Sequence, residues 1–146
     1  MRLRKASRRD LFSILKIEKT IYEKPYFNEK SLKHLFSNSI TDTALVFELN
    51  KRIIGFLIEQ RCLNEISILN VAVENSFQNN GFGKKILNQY LSEIPDNSVV
   101  FLEVNINNFI AQKIYYDLNF HKIDVRKSYY NDGGDALIMK YEKKSN

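Results

Sequence analysis

The sequence predicts an α/β (α+β) domain: a mixed, mostly antiparallel central sheet with helices on both faces, in the order β-α-α-β-β-β-α-β-α-β-β. Three observations carry this. The chain has 146 residues, the size of one ordinary domain and too short for two independent cores. Its 44% hydrophobic and 27% charged residues are globular composition. The apolar period switches repeatedly between helical spacing and alternation, with no repeat, linker or low-complexity tract between the segments.

Each element follows from its own pattern. Arg2 to Ala6 alternates as a short strand. Asp10 opens a helical stretch with Leu11, Ile14, Leu15, Glu18, Ile21 and Tyr22 at spacings of three and four, and Pro25 stops it. Asn28 is the candidate N-cap of a second helix carrying Leu32, Leu35 and Phe36. Thr43 to Leu49 and Ile53 to Cys62 are rich in β-branched and aromatic residues, and Asn50-Lys51-Arg52 reads as the hairpin between them. Ile66 to Val73 follows the turn Leu63-Asn64-Glu65, completing an antiparallel meander. Glu74 to Asn80 is a polar loop, and Gly81 to Ser92 a helix with Phe82, Ile86, Leu87, Tyr90 and Leu91 inward. Pro95 to Asn97 turns into Val99 to Val104, short and apolar enough for a buried strand. Asn108 caps a helix through Leu118, and strands close the chain at His121 to Arg126 and Ala136 to Tyr141.

Composition excludes several functions. No stretch approaches the roughly 20 apolar residues of a membrane span, and the basic N-terminus lacks the apolar run of a signal peptide, so a cytoplasmic protein without a membrane partner is expected. The lone Cys62, apolar-flanked in a strand, is expected to be a buried inert thiol; with only His34 and His121 beside it, no metal site is expected. The net charge of +5 divides unevenly: residues 1–9 carry +5, residues 140–146 carry +2, and the body carries 14 basic and 16 acidic residues. The basic balance therefore comes from the two ends, which argues against a nucleic-acid groove, and the lysines are not interleaved with aromatics. Trimming both ends is expected to leave catalysis largely intact.

Between a strand and a helix lies Gln78-Asn79-Asn80-Gly81-Phe82-Gly83-Lys84. Two glycines let backbone N–H groups converge beside a positive helix end, which can bind a pyrophosphate; a turn with glycines for tight packing accounts for the spacing equally. A P-loop is excluded, because Gln78 and Lys85 stand where Gly and Ser or Thr are required. A dinucleotide fingerprint is excluded, because Ile86 stands where its third glycine belongs.

The Gln-x-x-Gly-x-Gly turn after Asn70-Val71-Ala72-Val73 resembles the acetyl-CoA motif of the GNAT N-acetyltransferases, whose fold matches the element order over essentially the whole chain. The closer resemblance is to their RimI group, the ribosomal-protein-alanine N-terminal acetyltransferases. It rests on Asn70-Val-Ala-Val73, Phe101-Leu-Glu-Val104 with Asn107-Asn108, Ile114-Tyr-Tyr-Asp-Leu-Asn-Phe120, Tyr129-Tyr130 and Asp135-Ala-Leu-Ile-Met139. The chain departs from the pattern at Asn105 (usually Arg), Asn119 (Gly), Ser128 and Asn131 (Asn and Pro) and Gly134 (Glu). The changes at 128–134 fall in the region expected to touch the acceptor.

The resemblance implies acetyl-CoA as donor, no metal, and an acceptor protein N-terminus, in the RimI group the alanine of small-subunit ribosomal protein eighteen. It implies main-chain bonds from Val71, Ala72 and Val73 to the donor arm, a pyrophosphate site over Gln78, Asn79, Asn80, Gly81, Phe82, Gly83 and Lys84, and Asn108 near the pantetheine. An α-amine of pKa near 7.7–8.0 is partly protonated at pH 7 and must lose a proton to attack. Glu103, at the end of an apolar strand, corresponds to the family's general base; a solvated strand-end acid is the plain alternative. Tyr115 corresponds to the general acid, beside Tyr116, with a core-facing aromatic as its alternative. Tyr26, Tyr129 and Tyr130 are candidate clamps on a peptide, or aromatics at a sheet edge. A lysine side chain or small amine as acceptor, and a non-catalytic RNA-binding module, are the competing readings.

Overall fold

A computed structural model describes residues 1–21, 29–38, 41–130 and 133–145. The strands are β1 (Arg2–Lys5), β2 (Asp42–Leu49), β3 (Arg52–Cys62), β4 (Glu65–Val73), β5 (Val99–Asn105), β6 (His121–Arg126) and β7 (Ala136–Glu142). The α-helices are α1 (Leu11–Ile21), α2 (Glu29–Asn38), α3 (Phe82–Glu93) and α4 (Phe109–Asp117), in the expected order. Short 3-10 turns at Arg8–Asp10 and Asn75–Phe77 lead into α1 and follow β4. Tyr22, Pro25 and Asn28 lie outside the described residues.

One seven-stranded sheet runs β1-β2-β3-β4-β5-β7-β6, antiparallel throughout except for β4 against β5. Alternation along the strands sorts side chains to two cores. On one face Ile14 and Ile17 of α1 and Leu32 and Leu35 of α2 pack on Ala44, Val46, Phe56, Ile58 and Ala72. On the other, Ile86, Leu87, Tyr90 and Leu91 of α3, with Tyr115 and Leu118, pack on Leu57, Ile66, Val100, Leu102, Val104 and Met139.

Buried polar pairs tie these layers to the sheet. Tyr90 donates its hydroxyl to Glu59 of β3, which also accepts from Arg61 Nε at 2.6 Å. Burial, and then the neighbouring carboxylate, push the Tyr90 hydroxyl well above the usual tyrosine range. Arg4 of β1 grips Asp10 with both guanidinium nitrogens, at 2.7 and 2.9 Å, and Asp10 also accepts from the Ser7 backbone N–H at 2.8 Å. That grip holds the Asp10 carboxyl below its ordinary value.

Two expectations are corrected here. Residues 1–9 are not a dispensable tail: β1 pairs with β2 from Arg2↔Glu48 to Lys5↔Leu45, so trimming removes an edge strand and the partner of buried Asp10. Cys62 is exposed, because β3 outruns the core and ends in the hairpin where Leu63 also stands in solvent.

Candidate active site

The site begins where the sheet opens. β4 and β5 pair only at Glu65↔Val99, Ile66↔Val100 and Ser67↔Phe101, although both strands continue well beyond. Beyond Ser67 the edge of β4 that faces β5 no longer pairs with it, leaving a slot for an extended ligand. A bulge contributes: Ile58 pairs with Asn70 but Glu59 with Ile68, so Leu69 is the extra residue on β4. After it, Val71 and Val73 turn toward the α3 core and Asn70 and Ala72 toward α1. Asn70 donates to Oε1 of fully buried Glu18 at 2.7 Å, tying the bulged strand to α1. On the far side, β3 approaches β4 closely enough that a Cβ on Gly55 would lie 2.8 Å from the Ala72 carbonyl oxygen.

From Val73 the chain passes through the 3-10 turn into α3. Gly81, at φ +77°, precedes the helix, and Asn79 also takes a positive φ, 64°. The first helical bond runs from the Lys85 N–H to the Gly81 carbonyl, so the Phe82, Gly83 and Lys84 N–H groups precede it. With the helix end, they make the cradle an anion requires. The side chains expected there are used locally. Gln78 donates to the Val73 carbonyl at 2.9 Å and to Asn75 Oδ1 at 3.1 Å; Asn80 donates to the Gln78 carbonyl at 3.2 Å. The Lys84 ammonium lies 3.5 Å from Asp117 of α4. The donors left for a phosphate are main-chain N–H groups and the exposed Asn79 side chain, which fits acetyl-CoA.

Gly83 separates structure from binding. A Cβ there would meet Ile114 Cδ1 of α4 at 3.6 Å, an ordinary contact. Gly83→Ala is therefore expected to melt at or above the parent temperature, since alanine gains about 1 kcal/mol over glycine in a helix. It also narrows the space between α3 and α4, and calorimetric titration should show acetyl-CoA binding about tenfold weaker, a loss of roughly 1.4 kcal/mol. Unchanged affinity would place the donor elsewhere.

Glu103 lies two residues past the last β4–β5 pair. Its neighbours Leu102 and Val104 enter the α3 core, so Glu103 points to the opposite face, with Phe101 and Ile138. The α1–α2 core reaches β2, β3 and β4 but includes no residue of β5, β7 or β6 among those described. The Glu103 side chain is accordingly 28% exposed, and its carboxylate pairs with Arg126 Nη1 of β6 at 3.1 Å. The Arg126 guanidinium also lies over the Tyr129 ring at 5.6 Å, and Tyr129 meets Tyr130 edge-on at 5.0 Å. Base candidate, cation and tyrosine pair thus form one chain of contacts. Tyr26 lies outside the described residues.

The loop bearing Tyr129 and Tyr130 is closed by Asp135, which accepts from the Ser128 N–H at 2.9 Å and pairs with Lys127 at 3.3 Å. Backbone donation chiefly, then Lys127, holds its carboxyl below the ordinary value. A lowered folded-state value stabilises the loop above the ordinary carboxylate pKa, 3.8 here, and that contribution disappears as pH falls through the folded value. The Ser128 amide resonance in NMR is expected to stay constant from neutral pH to about pH 5 and to move only in more acid solution.

Tyr115 is buried against Phe120, ring centroids 5.7 Å apart, while Tyr116 is half exposed. Its place is set by the end of α4: the Phe120 N–H bonds the Tyr115 carbonyl and the Asn119 N–H the Tyr116 carbonyl, a Schellman closure. Asn119 takes φ +69° there, which explains how asparagine replaces the family's glycine. Asn108 caps α4 by accepting from the Ala111 N–H at 3.2 Å, and Gln112 donates to the Asn105 and Ile106 carbonyls, fixing the turn from β5 into α4. Glu103 and Tyr115 thus lie on opposite faces of the sheet, Glu103 on the strand that borders the gap and Tyr115 in the core beneath α3. Arg126 and Gly55 escape sequence reading, because each matters through a neighbouring strand rather than through its local pattern.

The comparisons with known proteins bear on the family and the fold. The family model described as an acetyltransferase (GNAT) domain matches residues 15–143. The chain is 31% identical to the ribosomal protein bS18-alanine N-acetyltransferase of Escherichia coli K12, over 89% of each chain. It is 29% identical to an uncharacterized N-acetyltransferase of Methanocaldococcus jannaschii, over 100% of this chain and 94% of that one. The crystal structure of the Escherichia coli ribosomal-protein-S18-alanine N-acetyltransferase superposes with a TM-score of 0.86 at 25% identity, covering 99% of this chain and 95% of that one.

Proposed function

The chain belongs to the GNAT acetyltransferase family and is an acetyl-CoA-dependent N-acetyltransferase; from that premise, we propose that its acceptor is the N-terminal amine of a protein, with the alanine of small-subunit ribosomal protein eighteen as the specific candidate. One observation carries the reading: the sheet opens beside Glu103, with an N–H cradle at the start of α3 on one side and, on the other, a strand face that none of the described helices covers. That face can receive an extended peptide end, flanked by Tyr129 and Tyr130. It carries Arg126 and Lys140 against Glu103, Asp124 and Glu142, and Arg126 and Lys140 are already paired with Glu103 and Glu142, so the face lacks the acidic cluster a polycation would need. The likeness to the bS18-alanine enzyme supports the same acceptor.

In the proposed mechanism acetyl-CoA supplies the thioester. The main chain of Val71 to Val73 aligns the donor arm and provides an N–H for the developing oxyanion. The N–H groups of Phe82 to Lys84 receive the pyrophosphate, with Asn108 holding the turn beside the pantetheine. Glu103 takes the proton from the acceptor ammonium, directly or through water, and the freed amine attacks the carbonyl carbon. The C–N bond forms, the C–S bond breaks, the Tyr115 hydroxyl gives its proton to the departing sulfur, and the proton shed by the new amide nitrogen passes through water to restore the tyrosine.

Mass spectrometry of the reaction with an alanine-starting peptide should show a single acetyl group on its α-amine. Equal or better acetylation of an internal lysine or of a polyamine would transfer the reading to those acceptors. Acetyl-CoA at 100 times its dissociation constant should raise the stability by about 2.7 kcal/mol in a melting curve.

A further inference from the structure

The fold brings two of the N-terminal cations, Arg4 and Arg9, beside cations of α1 and of the β2–β3 hairpin, while Lys5 and Arg8 line a separate cleft. A cleft of about 690 Å³ runs between α1 and the β2–β3 hairpin, lined by Arg4, Arg9, Lys16, Lys51 and Arg52. None of these residues has a part in the transfer described above. The carboxylates in the same cleft are already engaged: Arg4 spans Asp10 and Glu48, and Arg52 holds Glu74. Arg9, Lys16 and Lys51 have no ion-pair partner among the described residues, and all three are exposed. Uncompensated cations around an open cleft attract a polyanion.

Phe12 indicates which polyanion. It is 78% exposed on α1, with Lys16 and Lys19 one and two turns ahead and Arg8 and Arg9 just before it. An aromatic ring standing in a row of cations offers its face to a flat, unstacked partner, and every nucleic-acid base has such a face. An acidic peptide would gain from the cations but little from the ring. We propose that the α1 face bearing Phe12, together with the adjoining cleft, binds single-stranded nucleic acid, the cations taking phosphates and Phe12 a base. The local sequence hides this because Lys51 and Arg52 join the row only when the hairpin folds beside α1. The surface is independent of the acceptor reading, and it runs against the sequence reading, which disfavours a nucleic-acid partner.

Fluorescence anisotropy of the full chain with labelled single-stranded oligonucleotides of about 12 residues, one RNA and one DNA, tests it. Binding should weaken steeply with salt, with a logarithmic slope of about −2 for three phosphates neutralised. Tighter binding of RNA than of DNA would identify ribose-bearing strands as the natural ligand, and equal binding would identify any single strand. Phe12→Ala should weaken binding about tenfold at fixed salt. Lys16→Glu and Lys51→Glu should each weaken it and flatten the salt slope by about one. Lys144→Glu, at the other end of the chain, should leave it unchanged. Melting curves with and without acetyl-CoA should match the parent in all four variants, separating loss of nucleic-acid binding from loss of fold or donor site. No binding at about 50 mM salt would overturn the proposal. So would binding that survives both Phe12→Ala and the charge reversals, or competition by polyglutamate equal to that of the oligonucleotide with Phe12→Ala silent.

Discussion

Glu103→Gln is expected to lower kcat by about 10²–10⁴, the usual contribution of a positioned general base, while acetyl-CoA still raises the melting temperature as in the parent. The separation follows from placement. Glu103 lies on the face opposite the α3–α4 core, so its carboxylate can be altered without touching the cradle at Phe82 to Lys84. The substitution removes the ion pair with Arg126, but that pair is partly exposed and worth at most about 1 kcal/mol, so stability should barely move. Tyr115→Phe is the companion variant. It keeps the ring on Phe120 and removes only the hydroxyl, so a fall in kcat at unchanged melting temperature would reflect the proton rather than the packing. Parent-like turnover in Glu103→Gln would assign the base elsewhere.

Asn70→Leu is expected to have the largest effect on stability, about 3 kcal/mol, read as a fall in Tm of roughly 10 °C. Glu18 is fully buried, and the Asn70 amide donates to it at 2.7 Å from the bulged part of β4. A leucine leaves that carboxylate without one of its donors in a setting where water cannot replace it. Glu18→Leu combined with Asn70→Leu should cost less than the sum of the two single changes, because the double variant contains no buried charge to desolvate. Strict additivity in denaturant titrations would show that the two side chains do not act on each other.

The order of elements is legible in the sequence because it is written in local period. Leu11, Ile14 and Ile21 repeat as a helix, Thr43 to Leu49 reads as a strand, and Asn108 marks the start of α4 as a cap. The glycine turn proposed to hold the donor is legible for the same reason, since Gly81 and Gly83 lie within one turn. What is not legible depends on pairing at a distance. Nothing local to β7 places it between β5 and β6, and it is this insertion that brings Arg126 within reach of Glu103 across β7. The closeness of β3 and β4 at Gly55 likewise depends on Ala72, a residue on another strand. Cys62 looks buried from its neighbours in sequence, and only the length of β3 past the core puts it in solvent. The strand at Arg2 to Lys5 is legible from its alternation, but the grip of Arg4 on Asp10, which ties it to α1, is not.

The three-residue seam between β4 and β5 also has a mechanical meaning. It divides the sheet into two leaves, β1 to β4 and β5 with β7 and β6, which are hinged at Ser67 and Phe101. The donor arm, lying along the open edge of β4, would act as a removable staple between the leaves. In its absence the amides bordering the slot should open more readily than those in the middle of either leaf, and hydrogen exchange should show their protection rising together when acetyl-CoA binds. Once the acetyl group has been transferred, CoA alone leaves most of that staple in place, so the protein should remain stiff until the spent donor departs.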